Sequence, residues 1–178
     1  MELQQSIKDI IRVNENIRDF WGNGGWAPSG AAELLSKSRL DWQVSLSKNL
    51  LRWFPFPKGD EYDGSLILAW ANLGALVEAT MKWYLCVFYE DYSLNPFKKK
   101  GEAIEPDELW PFKLYECFLN NVWVASEKKQ WEPFVILVRE RRNSIHAYKD
   151  RSIGSFEEFT EAVIRTYPKT YEKPRFQY

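Results

Sequence analysis

The stretch LILAWANLGALVEATMKWYLCVFY, residues 66–89, is the most apolar part of the chain and decides how we expect it to fold. Its length and composition are close to those of a transmembrane helix. However, Asn72, Glu78 and Lys82 lie near its middle, where an ionised group in a bilayer would cost about 3 kcal/mol even on lenient scales. We therefore predict a long helix that is buried in protein and does not cross a membrane.

Two helices are expected before this one. Apolar residues at helical spacing predict a first helix that ends near Phe20, before a glycine-rich loop. A second helix is predicted from about Ala31 until Pro55 stops it. The segment Asp63-Gly64-Ser65 is typical of an N-cap, so the long helix should begin there and end near Tyr92.

Three helices are expected after it. We predict a fourth helix over residues 105–127, a fifth from about residue 131, and a sixth that ends near residue 167. Ser155 and Glu158 have the spacing of a capping box at the start of the sixth helix. No internal repeat, hairpin-linked strand pair or flexible linker is recognisable.

These patterns predict a single all-α domain, a bundle of about five to six helices. Residues 1–60 are expected to form an N-terminal helical extension and residues 65–167 the main bundle. With 178 residues, the chain can bury roughly 70% of the surface that its unfolded form exposes. Cys86 and Cys117 lie in apolar helical patterns and are expected to be buried free thiols. The first residues do not resemble a signal peptide, so we expect a cytoplasmic protein.

Several kinds of site are excluded by composition. One histidine and two cysteines are too few for a zinc site, and no other metal or cofactor is expected. The run Gly22 to Gly25 lacks the Lys-Ser/Thr of a phosphate loop. The net charge of −1 gives no overall attraction to nucleic acid, so such binding would need a local basic patch.

A local basic patch surrounds the only histidine, His146, in the stretch RERRNSIHAY, residues 139–148. Between Arg139 and Arg151 there are five Lys or Arg residues and two acidic ones. On a regular helix, Arg139, Arg142 and His146 fall at roughly 140°, 80° and 120° from Phe134, and so share one face. Arginine can bind phosphate oxygens in a bidentate manner, and histidine can transfer protons near neutral pH.

The other side of this helix carries the apolar stripe. The residues that fall on it are Leu137, Val138, Arg141, Ile145 and Tyr148. Basic helix faces are also common as solvated surfaces, and from the residues alone that interpretation is the stronger one. A phosphate-binding site is the alternative.

The motif resembles that of a known family. Arg141, four residues, His146, one residue and Tyr148 is similar to the Arg-x4-His-x-Tyr motif of the HEPN superfamily (higher eukaryotes and prokaryotes nucleotide-binding), and Arg139 gives the six-residue spacing that the superfamily also accepts. The resemblance implies a small helical bundle and a metal-independent endoribonuclease, a toxin or defence effector that acts on RNA as a homodimer, with a composite site at the dimer interface and an antitoxin partner. It covers the motif helix and the layout from about Ser65 to Ile164.

The motif and the helix geometry favour different arginines. The spacing of the family motif favours Arg141 as the partner of His146. The angular positions on a regular helix favour Arg142 and Arg139, provided that the helix stays regular as far as His146. Family members often have asparagine after the motif arginine, and here Asn143 follows Arg142. The resemblance implies His146 as general acid or base, the arginines as phosphate-binding cations, and Asn143 as an orienting partner.

Two further residues are candidates. Glu78 is expected either to pair with Lys82, four residues later, or to reach the motif helix and hold an arginine. Tyr148 resembles a tyrosine that a partner antitoxin modifies in some relatives, but its place on the apolar stripe favours a packed core tyrosine. The alternative function is a non-catalytic HEPN-like module for RNA or nucleotide binding or for dimerisation.

Overall fold

The structure, a computed structural model, describes residues 2–22, 27–146, 148 and 150–166. Within these ranges the chain forms a single all-α domain, as predicted, with eight α-helices instead of five or six. They are α1 (Glu2–Trp21), α2 (Ser29–Lys37), α3 (Leu40–Asn49), α4 (Tyr62–Val87), α5 (Tyr89–Leu94), α6 (Pro111–Cys117), α7 (Ala125–Arg142) and α8 (Phe156–Arg165).

Helix α4 is the central element of the fold. It packs against α2, α3, α6, α7 and α8. Trp70 and Leu73 on this helix are fully buried, and the edge of the Trp70 ring packs on Phe159 of α8 with ring centroids 5.2 Å apart. The segment Gly59–Val87 is long and apolar enough to cross a membrane by length and composition alone. In this fold 44% of its most apolar window is buried against the other helices.

The N-terminal residues belong to the same core as the rest of the chain. Helix α1 packs along α3 and α8, and its Ile7 and Ile10 share one hydrophobic cluster with Leu50, Trp70 and Phe159. The predicted N-terminal extension therefore shares its hydrophobic core with the main bundle. Residues beyond the strong apolar stretch complete the core because α4 alone cannot cover its own apolar surface.

Three of the predicted helices are broken into shorter ones. The third, expected to end near Tyr92, ends at Val87, and α5 begins after Phe88 (φ −102°, ψ 41°). The third helix begins at Tyr62 without a side-chain cap, so the predicted N-cap at Asp63-Gly64-Ser65 was wrong. The second ends at Lys37, where Ser38 is extended (ψ 142°) and its hydroxyl donates a hydrogen bond to the Leu35 carbonyl. The predicted fourth helix is broken at Trp110, which is also extended (ψ 159°). The proline that follows, Pro111, disfavours helical backbone at the preceding residue.

A small hairpin joins α5 to the segment before α6. Strands β1 (Lys98–Lys99) and β2 (Glu102–Ala103) pair in antiparallel fashion, so the expectation that the chain has no such strand pair was wrong. The turn places Lys100 and Gly101 at positive φ, 55° and 94°. Asparagine is the usual residue where Lys100 stands, and its absence hid the hairpin in the sequence.

The start of α8 confirms half of the predicted capping box. The Ser155 hydroxyl accepts a hydrogen bond from the Glu158 backbone N–H, 3.2 Å away. The Glu158 carboxylate does not return to the Ser155 backbone; it binds Arg141 of α7 instead. Ser155 therefore caps α8 while Glu158 connects that helix to α7.

Cys86 and Cys117 are free and buried, as predicted. Burial raises the pKa of Cys86 to about 12 and that of Cys117 to about 11. Because the thiolate is the reactive form, both thiols should be inert in the folded protein at neutral pH.

We predict that the native protein at pH 8 leaves both cysteines unmodified by Ellman's reagent and that unfolding exposes both. Because the folded pKa values lie above the unfolded value near 9, the unfolded chain ionises first. The cysteine contribution to stability is therefore present below about pH 9 and is lost as the pH rises through 11 to 12. A Cys86→Ala variant should lose less stability over that range, and rapid labelling of the native protein would contradict the prediction.

We also predict that Leu73→Ala lowers the free energy of unfolding by about 2–5 kcal/mol, because it opens a cavity beside Trp70. Leu68→Ala, on the same helix, should change it by only about 0.5 kcal/mol. The two leucines differ in exposure, 0% and 52%. Urea titration followed by tryptophan fluorescence measures both, and equal losses would show that the Leu73 side of α4 is not the core.

Candidate functional site

The helix that carries the motif arginines ends before it reaches His146. Helix α7 stops at Arg142, and a single tighter turn follows over Asn143–Ile145. His146 is outside the helical conformation (φ −84°, ψ 64°), and its backbone N–H donates to the Asn143 carbonyl at 3.2 Å. The shared face of Arg139, Arg142 and His146 was predicted for a helix that stays regular as far as His146, and this condition is not met, so the choice between Arg141 and the other two arginines is open again. The imidazole is exposed.

The two arginines that the wheel grouped do lie together. Arg139 and Arg142 line a shallow cleft between α4, α6 and α7, and Glu78 stands in it with them. Its free space is about 340 Å³, part of which is open to solvent. The remaining lining is mostly apolar and includes Gly74 and Pro111. His146 is not part of this lining.

Gly74 allows the two helices to approach at this point. A Cβ atom at Gly74 would lie 2.6 and 2.7 Å from the Cγ and Cβ atoms of Arg142, too close for ordinary packing. The stem of Arg142 therefore rests directly on the backbone of α4. Gly74 was not among the predicted site residues, although a lone glycine inside a helical apolar stretch is a recognised sign of close packing.

Glu78 meets both expectations that were set for it. Its carboxylate lies 3.1 Å from Nη2 of Arg142 and 3.6 Å from Nζ of Lys82. Lys82 in turn donates to the backbone carbonyl of Asp107. One carboxylate on α4 thus partly neutralises a cation on its own helix and one on the motif helix.

Arg139 is held by aromatic rings. Its guanidinium carbon lies 5.5 Å from the centre of the Phe112 ring and 5.1 Å from that of Tyr115. Within the described part of the chain, no acceptor bonds its buried Nη1. Burial, together with the hydrogen bond from the Tyr115 hydroxyl to Glu132, raises the pKa of Tyr115 to about 12.

Arg141, the arginine favoured by literal spacing, is engaged elsewhere. Its Nη2 and Nε lie 3.0 and 3.3 Å from the two oxygens of Glu158, and its Nη1 donates to the Ser152 carbonyl at 2.9 Å. It connects α7 to α8 and to the segment before α8. It does not line the cleft of Arg139 and Arg142.

The residues after α7 are turned towards solvent. Ile145 and Tyr148 are both exposed, and Tyr148 fully so. The interpretation of Tyr148 as a packed core tyrosine is wrong, because the apolar stripe ends with the helix at Arg142. Asn143 contributes its backbone carbonyl to the His146 turn. At this end of the molecule, a histidine, a tyrosine and an isoleucine are accessible together.

The described residues contain no group of three or more His, Cys, Asp or Glu side chains that could hold a metal ion. No protein-family model matches this chain, and no curated protein or solved structure matches it either. The resemblance to the HEPN superfamily therefore rests on the motif residues themselves.

We predict that Gly74→Ala lowers the free energy of unfolding by about 1–3 kcal/mol, because the new methyl group overlaps the Arg142 stem. Gly64→Ala is the matched control: it lies in the same helix, with no atom within 4 Å of its Cβ position. That change should be neutral or stabilise by up to about 1 kcal/mol. If urea titration gives the two variants equal stability, the helices do not touch at Gly74.

Proposed function

We propose that this protein is a metal-independent endoribonuclease whose site is completed by a second copy of the chain. The observation that carries the proposal is the exposure of His146 at the end of a helix whose last turn carries three arginines. An exposed imidazole can reach a substrate and exchange protons near neutral pH. The motif resemblance to HEPN proteins supports RNA as the substrate.

A second copy is invoked because one chain offers an incomplete site. Among the described residues, none forms a hydrogen bond or ion pair with the His146 imidazole. Arg141 is bound by Glu158, and Arg142 is bound by Glu78. Exposed Ile145 and Tyr148 flank the histidine and provide apolar surface of the kind that is found in homodimer interfaces. A symmetric contact at this end would bring two histidines together.

The reaction needs no metal. The RNA 2′ oxygen forms a bond to the adjacent phosphorus, and the bond from phosphorus to the 5′ oxygen of the next nucleotide breaks. His146 accepts the 2′-hydroxyl proton, and the partner subunit's His146 protonates the leaving 5′ oxygen. Arg139 and Arg142 stabilise the negative charge on the phosphorane, with Arg142 exchanging Glu78 for phosphate oxygens. The products are a 2′,3′-cyclic phosphate and a 5′-hydroxyl end.

The second candidate function is a non-catalytic module for RNA binding or dimerisation. It is favoured by the carboxylate partners of Arg141 and Arg142, which reduce the charge available for catalysis. The same exposed end of α7 would then serve as a contact surface only. Under either proposal we place the protein in the cytoplasm, and a role as a toxin or defence effector with an antitoxin partner belongs to the first.

We predict that His146→Ala reduces RNA cleavage by at least roughly a hundredfold, since proton transfer by a positioned side chain contributes about that much or more. The circular dichroism spectrum should not change, because the side chain is exposed. Incubation of total RNA with EDTA, followed by analysis of the new ends, measures both cleavage and the cyclic phosphate.

The arginine control compares Arg142→Ala with Arg12→Ala. Arg12 lies on α1 and pairs with Asp9 in an exposed position. Only the first variant should lose cleavage. If the wild-type protein leaves RNA uncut under varied salt and pH, or if the variant without His146 cuts equally well, the nuclease proposal fails. A dimer without cleavage would then support the non-catalytic module.

A further inference from the structure

Aromatic rings and cations alternate over one surface beside the cleft. Nζ of Lys99 lies 5.6 Å from the centre of the Trp110 ring, and Nζ of Lys113 lies 5.1 and 5.5 Å from the centres of Phe97 and Phe112. Arg139 also lies over Phe112. We call this set the aromatic-cation surface: Phe97, Trp110, Phe112, Lys99, Lys113 and Arg139.

Two of its rings are available to a ligand. Trp110 and Phe112 are 40% and 47% exposed, whereas most of the aromatic residues that the structure describes are buried or partly buried against the hydrophobic core. Exposed apolar surface that is bordered by polar residues often marks a binding site. Their neighbours, lysines and an arginine, indicate a partner that combines flat rings with negative charge.

Cations lie directly over these rings, and a similar number of carboxylates lies in the same segment of the chain. Lys98 and Lys100 on the hairpin add to the three cations of the surface, which makes five. Four carboxylates accompany them: Glu102 lies opposite Lys99 in the hairpin, Glu116 binds Lys113, and the exposed Asp107 and Glu108 precede Trp110 in the chain. Another nearby acid, Glu105, accepts a hydrogen bond from the Tyr89 hydroxyl.

The aromatic-cation surface is continuous with the candidate site. Pro111, between the two exposed rings, lines the cleft that Arg139 and Arg142 also line. Arg142 is the last residue of α7, and the turn after it leads to His146. Along the axis of α7 and this turn, Arg139 and His146 are separated by roughly 10 Å. A flexible chain bound at Trp110 could therefore extend towards the histidine.

We propose that the aromatic-cation surface binds single-stranded RNA. Bases stack on Trp110 and Phe112, and Lys99, Lys113 and Arg139 contact the phosphates. A single strand is required because the bases of a duplex are already stacked on each other and cannot cover a protein ring. An acidic peptide would use the lysines but would leave the rings exposed. This inference rests on the proposed function, since it assigns that site its substrate class.

The test measures binding in a protein that cannot cleave. A fluorescein-labelled oligouridine of about 12 nucleotides is titrated with the His146→Ala protein, and its anisotropy is recorded. Adding Trp110→Ala should weaken binding roughly five- to one-hundredfold, the range for the loss of one stacked base. Lys99→Ala should weaken it less and reduce its salt dependence.

Trp42→Ala is the matched control in the same background. Trp42 is 59% exposed, and its ring lies 4.0 Å from the guanidinium of Arg39, so it is also an exposed ring with a cation over it. It belongs to α3, which packs on α1 and α4. Oligouridine affinity should be unchanged in this variant.

Several results would contradict the proposal that the aromatic-cation surface binds single-stranded RNA. One is that the Trp110→Ala and Trp42→Ala proteins bind oligouridine with equal affinity. A second is that duplex RNA or polyglutamate displaces the labelled oligouridine as well as unlabelled oligouridine does. A third is that the protein does not bind oligouridine. Each is distinguishable from failure of the nuclease proposal. If the wild-type protein cleaves RNA but the Trp110→Ala protein binds oligouridine normally, the nuclease proposal is supported and the binding-surface proposal is contradicted. If oligouridine binding depends on Trp110 but the wild-type protein does not cleave RNA, the binding-surface proposal is supported and the nuclease proposal is contradicted.

Discussion

The close approach of α4 and α7 at Gly74 is the constraint on which the candidate site depends. Because Gly74 has no side chain, the stem of Arg142 can rest on the α4 backbone. This brings the guanidinium within 3.1 Å of Glu78, one helical turn further along α4. Both side chains of that ion pair remain partly exposed, and such pairs contribute at most about 1 kcal/mol. Packing therefore sets the position of Arg142, and the carboxylate sets the direction of its guanidinium.

The adjacent arginine, Arg141, contacts a different helix. Consecutive helical residues point about 100° apart, so Arg141 and Arg142 face different neighbours. Glu158 of α8 binds one and Glu78 of α4 binds the other. The end of α7 is thereby connected to two helices, and the residues after Arg142 leave the helix at this point. A reactive side chain on a short exposed turn, supported in this way, can be accessible and still well positioned.

Local sequence was sufficient for some elements and insufficient for others. The long central helix and the Ser155 cap could be predicted because apolar composition and a single side-chain hydrogen bond determine them. Helical periodicity predicted that Arg139 and Arg142 share one face of α7. The end of α7 could not be predicted, since tertiary contacts of Arg141 and Arg142 accompany it and no proline or glycine marks it. The glycine at position 74 was itself a signal of close packing, but its partner, Arg142, could not be predicted because it lies 68 positions later in the chain.

The distribution of charge explains how a nearly neutral chain could bind RNA. The net charge is −1, and the arginines of the motif are largely matched by carboxylates. Long-range attraction to a polyanion is therefore weak, and affinity has to come from contacts at short range. Exposed aromatic rings can provide this, because stacking contributes without a large electrostatic field. Arg139 belongs to both the aromatic surface and the cleft, and so a strand that stacks on Phe112 already lies against the first cation of the proposed site.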